Sequence, residues 1–218
     1  MPLKAAIVPV TPLQQNCSLI WNDETMVGAV IDPGGDIEKI EDALSQVGVT
    51  LEKVLLTHGH LDHASAAGEL SRKYGIPIEG PHEDDLFLIE DLPNQSAKYG
   101  MPVYGDFRPD RWLADEDTVE VSGMTLRVRH CPGHTPGHVV FIHEPSKLAA
   151  VGDVLFQGSV GRTDFARGNH EDLISSIRNR LFPLGLDIAF IPGHGPMSTF
   201  EAEKKTNPFC SDMAVGAD

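Results

Sequence analysis

The chain has 218 residues, 41% of them hydrophobic and 22% charged, with a formal net charge of −15. That length and balance suit a globular protein with its own core, and no run is long enough to span a bilayer, so no membrane partner is expected. The acidic balance lacks the basic footprint that phosphate backbones require, so no nucleic-acid partner is expected either.

The first ten residues, MPLKAAIVPV, hold one lysine and a short apolar run interrupted by Pro9, unlike a secretory signal. The three cysteines, Cys17, Cys131 and Cys210, are odd in number and far apart, which reads as reduced, packed thiols. A cytoplasmic location is the expectation.

In chain order, the runs AAIVPV, NCSLIWN and MVGAVID read as strands, the last closed by a turn at Pro33 to Gly35. Asp36 is placed to cap a helix carrying Ile37, Ile40, Ala43, Leu44 and Val47, with Gly48 ending it. KVLLT then reads as a buried central strand. From Asp62 to Gly75 the chain is alanine-rich and reads as one helix, followed by the strand IPIEG. A second helical region runs from about Glu83 to Tyr99 with a break near Pro93. TVEVSGMTLRVRH reads as a hairpin turning at Ser122 and Gly123. Strands VVFIHE and KLAAVGD follow, then a helix from about Glu171 to Leu181 and the strand IAFIPGH. No Pro/Gly/Ser-rich linker interrupts the chain, so a single domain over 1–218 is expected, with 199–218 as a short C-terminal tail. Two mixed sheets face to face with helices outside would bury these runs, which predicts a four-layer α/β sandwich.

The densest chemistry lies in LLTHGHLDHAS. His58 and His60, two apart in extended chain, can point the same way, and Asp62 and His63 follow on the first helical turn. Four adjacent ligands do not converge easily on one ion, so two ions side by side are expected. Later strand-like runs end in further ligand-type residues flanked by glycine: His134 in CPGHTPGH, Asp153 in AAVGD and His194 in IAFIPGHG. Strand ends converging at one edge are where α/β sites form. The seven candidates divide into two sets of three and one bridging carboxylate. Imidazole and carboxylate donors without thiolate suit zinc, iron or manganese. His82, His130, His143 and His170 lack motif spacing and read as surface or supporting residues, and His138 is the best placed to support a ligand. Cys131 reads as packed, and the acidic runs at Glu83 to Asp85 and Asp115 to Asp117 as solvated faces or turns.

These residues resemble the metallo-β-lactamase superfamily, whose signature is the pattern seen here as HGHLDH. The order of CPGHTPGH, VGDVLF, GSVGRTDF and IPGHGP is most similar to its glyoxalase II (hydroxyacylglutathione hydrolase) branch, in the compact bacterial form, and the resemblance covers nearly the whole chain. It implies an αββα sandwich in which His58, His60 and His134 hold one ion, Asp62, His63 and His194 the other, and Asp153 bridges them. The implied cofactors are two divalent metal ions, zinc first and iron or manganese as alternatives. The implied reaction is hydrolysis of an S-2-hydroxyacylglutathione such as S-D-lactoylglutathione. A hydroxide bridging the ions attacks the thioester, and Asp62 is the candidate to orient that water.

Longer members bind glutathione with a helical C-terminal domain. Here Arg162 in GRTDF, and Lys204 or Lys205 after His194, are the candidates to pair with its carboxylates. The expected partner is therefore a small-molecule thioester, acted on by a monomer or small homo-oligomer. Two rivals share the fold: a glutathione persulfide dioxygenase using one iron held by two histidines and an aspartate, whose GRTDF loop is similar, and a lactone hydrolase.

Overall fold

The computed structural model describes residues 3–216. The domain expected over 1–218 therefore has Met1, Pro2, Ala217 and Asp218 outside the described residues. Thirteen strands and seven α-helices are formed among the described residues.

The first half contains β1 (Leu3–Val10), β2 (Gln15–Asn22), β3 (Val27–Ile31), α1 (Ile37–Val47), β4 (Thr50–Leu55), α2 (Leu61–Ala64), α3 (Ala67–Tyr74), β5 (Ile78–Glu79), α4 (Leu86–Glu90) and α5 (Leu92–Tyr99). Its sheet runs β1-β2-β3-β4-β5, antiparallel as far as β3 and parallel from there. The second half contains β6 (Thr118–Val121), β7 (Met124–His130), β8 (Val139–His143), β9 (Leu148–Gly152), β10 (Leu155–Phe156), β11 (Ser159–Val160), α6 (His170–Ser176), β12 (Ala189–Pro192), β13 (Ser198–Thr199) and α7 (Phe200–Thr206). Its six-stranded sheet runs β13-β12-β9-β8-β7-β6, and β10 and β11 form a separate two-stranded sheet.

Strand alternation sorts the apolar side chains into three cores. Ile20, Ala29, Ile31 and Leu55 point from the first sheet to meet Val128, Val139, Phe141 and Ala150 from the second. Their neighbours Leu19, Trp21, Val30 and Val54 point the other way, onto Ile40 and Leu44 of α1 and Leu70 of α3. On the far side Val140, Ile142, Val151 and Phe190 pack with Leu173 of α6 and Phe200 of α7. Three apolar interfaces separate four layers, which is the expected sandwich.

Three local expectations are corrected. Asp36 precedes α1 but makes no side-chain cap: its φ of 46° turns the carboxylate away, to accept from Thr11 N at 3.0 Å and Lys39 Nζ at 2.7 Å. The helix expected over Asp62 to Gly75 is two helices, because Ala66 N–H leaves the helical ladder and donates to Pro33 O at 3.0 Å. The helix expected to run from Glu171 to Leu181 is α-helical only through Ser176 and continues as wider and tighter turns to Leu184. The hairpin does turn at Ser122 and Gly123, both left-handed, with φ of 47° and 76°.

Candidate metal centre

β4, β7, β9 and β12 all end at one edge of the sandwich, and the seven candidate ligands sit just beyond those ends. His58 and His60 follow β4, and Asp62 and His63 open α2. His134 lies beyond β7, Asp153 directly follows β9, and His194 follows β12. The first sheet is tied to the last of these loops: Asn16 Nδ2 donates to Pro192 O at 3.0 Å and to Gly195 O at 2.8 Å.

The donors fall into two groups. Ligand atoms of His58, His60 and His134 lie within 4.8 Å of one another, and so do those of Asp62, His63 and His194. Asp153 stands between the groups. Its Oδ2 is 3.6 Å from His134 Nε2 on one side and 3.7 Å from His194 Nε2 on the other, and its Oδ1 faces His63 Nε2 at 3.4 Å. Within the second group, His194 Nε2 lies 3.1 Å from Asp62 Oδ2.

Hydrogen bonds behind the rings aim their free nitrogens inward. His134 Nδ1 donates to Arg162 O at 2.7 Å, and His63 Nδ1 donates to Asp32 Oδ2 at 2.9 Å. Thr57 Oγ1 donates to Asp32 Oδ2 at 2.6 Å, so it is left to accept from His58 Nδ1 at 3.0 Å. Asp32 also accepts from Thr57 N at 2.7 Å, which commits both its oxygens to hydrogen bonds. Such partners fix tautomer and ring orientation for metal ligation.

The consequence is a set of buried polar atoms that make no hydrogen bond. His58 Nε2 has no partner, and His63 Nε2 and Asp153 Oδ1 face each other at 3.4 Å without forming a hydrogen bond. Three such orphans at one point are costly in an ordinary core and are the natural donor set for cations. The spacing of the two groups about one carboxylate fits a pair of metal ions. Backbone bulk is excluded too: a Cβ on Gly193 would lie 2.0 Å from Asp153 Oδ1 and 2.6 Å from His63 Cε1.

The two halves differ electrostatically. Burial, reinforced by neighbouring imidazoles, depresses His58 and takes His60 to about 3, so this half presents neutral nitrogens. Burial also opposes charge on His63, but Asp153, Asp62 and Asp32 outweigh it and hold the ring above the ordinary histidine range. Burial would raise Asp153, yet His63, His134 and His194 hold its carboxyl far below the usual carboxylate range.

A metallo-beta-lactamase superfamily model matches residues 10–194. The chain belongs to that superfamily. It is 50% identical over 209 residues to hydroxyacylglutathione hydrolase GloC of Haemophilus influenzae, a match covering 95% of this chain and 98% of the relative. The crystal structure of BLEG-1 B3 metallo-beta-lactamase is similar at a TM-score of 0.88 and 34% identity, covering 95% of this chain and 99% of that one. The crystal structure of TTHA1623 in a di-iron-bound form gives 0.84 at 34% identity, covering 94% and 99%.

In this member of the superfamily the other candidates are spread unevenly. Arg162 forms two hydrogen bonds to Asp164, at 2.9 and 2.7 Å, and its guanidinium lies 4.6 Å from the Phe165 ring centre. That ring in turn packs 5.0 Å from His60, so Arg162 stands at the rim of the cluster. Lys204 pairs with Asp212, and Lys205 with Glu201 on its own helix, so both ion pairs lie within the C-terminal segment.

His138 is buried and stacks on His58 at 4.7 Å, while its Nε2 accepts the N–H of Asp153 at 3.1 Å. His82 and His130 stack on each other at 4.3 Å, outside the seven donors. His143 bonds Ser146, and His170 opens α6. Asp32, which orients two of the rings, belongs to no motif in the sequence. Its one local signal is an aspartate closing the apolar run MVGAVI just before Pro33.

Proposed function

We propose that the chain is a metal-dependent thioester hydrolase of the hydroxyacylglutathione hydrolase type, converting an S-2-hydroxyacylglutathione and water into a hydroxy acid and glutathione. The observation that carries it is the pairing of two three-donor groups about Asp153, in a chain half identical to GloC along nearly the whole length of both. In this reading His58, His60 and His134 hold one ion, Asp62, His63 and His194 hold the second, and Asp153 lies between them. Zinc is the first choice, and the di-iron form of TTHA1623 supports iron as the alternative.

When bound, such a pair supplies a water of lowered pKa and an electrophilic contact for the carbonyl oxygen. The chain's own side chains do the rest. Asp62, whose Oδ2 lies against His194, orients the attacking water by accepting from it. Asp32 and Arg162 O hold the rings of His63 and His134 so that no reorganisation is needed during the reaction. The C–O bond forms first, with negative charge gathering on the former carbonyl oxygen; the C–S bond breaks as the carbonyl re-forms, and the proton given up by the water ends on the departing thiolate. Phe165 and Arg162 form the wall beside His60 on which the thiol carrier lies, with Arg162 placed to meet a carboxylate. Lys204 and Lys205, paired with Asp212 and Glu201 within the C-terminal segment, take no part in binding the substrate.

The test is elemental analysis of the purified protein together with hydrolysis of S-D-lactoylglutathione. Two metals per chain with metal-dependent turnover is the expected result. Two metals without thioester cleavage would overturn the reading, and one iron with oxygen consumption on glutathione persulfide would replace it with the dioxygenase.

A further inference from the structure

Asp85 is a fully buried carboxylate that no step above uses. It lies in the tight turn of 83–85 just before α4, in the acidic run Glu83 to Asp85 that reads from sequence as a solvated face or a turn; the turn is there, but Asp85 is buried in it. Its Oδ2 accepts from Gly59 N at 3.0 Å and from Thr135 Oγ1 at 2.7 Å, and its Oδ1 accepts from Gly137 N at 2.6 Å. Gly59 is the residue between His58 and His60, and Thr135 directly follows His134. One carboxylate therefore joins the two loops that carry all three histidines of a single donor group, loops that lie 74 residues apart measured from His60 to His134.

Packing around this contact is tight on both sides. A Cβ on Gly137 would lie 2.6 Å from Asp85 N and 2.7 Å from its Cγ, and one on Gly59 would lie 2.8 Å from Leu88 Cβ and 3.2 Å from Asp85 O. His82 N adds a further tie, donating to Gly137 O at 3.0 Å. No comparable link joins Asp85 to Asp62, His63 or His194.

We infer that Asp85 is a positioning residue: it clasps the His58–His60 loop to the His134 loop and thereby sets the geometry of that donor group and not of the other. The inference rests on the proposed assignment of metal ligands. All three partners are donors, so the clasp suits the ionised carboxylate. Burial pushes the Asp85 carboxyl up to about 6, which leaves it ionised at neutral pH. An asparagine would keep one acceptor oxygen and turn an NH2 group toward an N–H, so Asp85→Asn breaks the clasp at almost constant volume. Gly137→Ala breaks it independently, by pushing a methyl group into the carboxylate.

The experiment is cobalt(II) titration of the metal-stripped full chain, wild type beside Asp85→Asn and Gly137→Ala, followed by the visible spectrum and by metal content after dialysis. Thermal unfolding of each protein is recorded in parallel. The wild type is expected to take up two ions. Both variants are expected to retain one at wild-type affinity and to bind the other at least about tenfold more weakly, the loss typical of removing a ligand's supporting partner. Thiol-ester turnover should fall mainly in kcat.

A merely structural role would lower the unfolding temperature and leave both affinities unchanged, or weaken both equally. Either of these results overturns the clasp. If Asp85→Asn does not fold, Gly137→Ala and Thr135→Val, which deletes only one of the three donors, carry the test by the same readout. A wild type that binds fewer than two ions would overturn the dinuclear reading itself, which keeps the two failures distinct.

Discussion

Asp32 Oδ2 stands 2.9 Å from His63 Nδ1, at the back of a ring whose Nε2 faces Asp153. The same carboxylate holds Thr57, which holds His58, so one side chain orients a ring in each donor group. Asp32→Ala should weaken metal binding about 10- to 100-fold, and most at the group containing His63. Metal content after dialysis against a graded chelator measures it, and a variant with wild-type retention would remove Asp32 from the site's support.

Replacing the donors themselves should cost far more. Asp153→Ala and His134→Ala are expected to lower thioester hydrolysis by roughly 10³-fold or more, corresponding to the several kcal/mol that metal ions contribute to the transition state. Circular dichroism of each variant establishes folding. Folded variants that keep both metals and full turnover would show the assignment to be wrong.

At the rim the effects should be small and confined to substrate binding. Phe165 is 36% exposed and carries the Arg162 guanidinium on its face, an arrangement worth about 0.5–1 kcal/mol when exposed. Phe165→Ala and Arg162→Ala are expected to raise KM a few-fold with kcat within about twofold, whereas Lys204→Ala and Lys205→Ala should change neither. A fall in kcat at constant KM for Arg162→Ala would argue that it acts on the reacting atoms instead.

Cys131 gives a pH dependence whose sign is fixed by burial. Its thiol is pushed from 9.0 up to about 12 by burial, a trend opposed by the charge of Arg180. The unfolded chain therefore loses this proton first as pH rises. Stability from this group is complete below about pH 9 and declines toward pH 12, with a limiting slope of about 1.4 kcal/mol per pH unit. Urea unfolding at a series of alkaline pH values should show a shallower decline for Cys131→Ala than for the wild type, and parallel curves would contradict the expectation.

In the outer core of the second sheet, Phe190 is fully buried and stacks on Phe200 at 5.7 Å. Phe190→Ala should cost about 3–5 kcal/mol of unfolding free energy, from lost burial and the cavity left behind. Denaturant unfolding checks the value. A cost under about 1 kcal/mol would mean that the layer between this sheet and its helices collapses freely around a missing ring.

What could be read from the sequence was what is written locally. The four donors of HGHLDH declare themselves by spacing, and the four-layer sandwich follows from apolar runs whose two faces the three cores divide between them. Residues whose meaning depends on distant partners were not legible. Asp32 and Asp85 are short acidic side chains like many others until the fold brings Thr57, His63, Gly59 and Gly137 to them. The break between α2 and α3 was hidden for the same reason, since the carbonyl that interrupts the ladder belongs to Pro33. Asp36 shows the converse. Its residue type is right for a cap, but a backbone turn made for other reasons points it elsewhere.

Each donor group draws on both halves of the chain: His58 and His60 await His134, and Asp62 and His63 await His194. During synthesis, the first half emerges with four of the seven donors and neither group complete. On the proposed assignment, loading would come after the second sheet has closed against the first, so a nascent chain would offer passing cations only partial sets of donors. With the ligands assigned as proposed, each ion would fasten one half of the protein to the other. Stripping the ions should accordingly loosen the edge where the two sheets meet, and hydrogen exchange there should quicken before it does in the three cores.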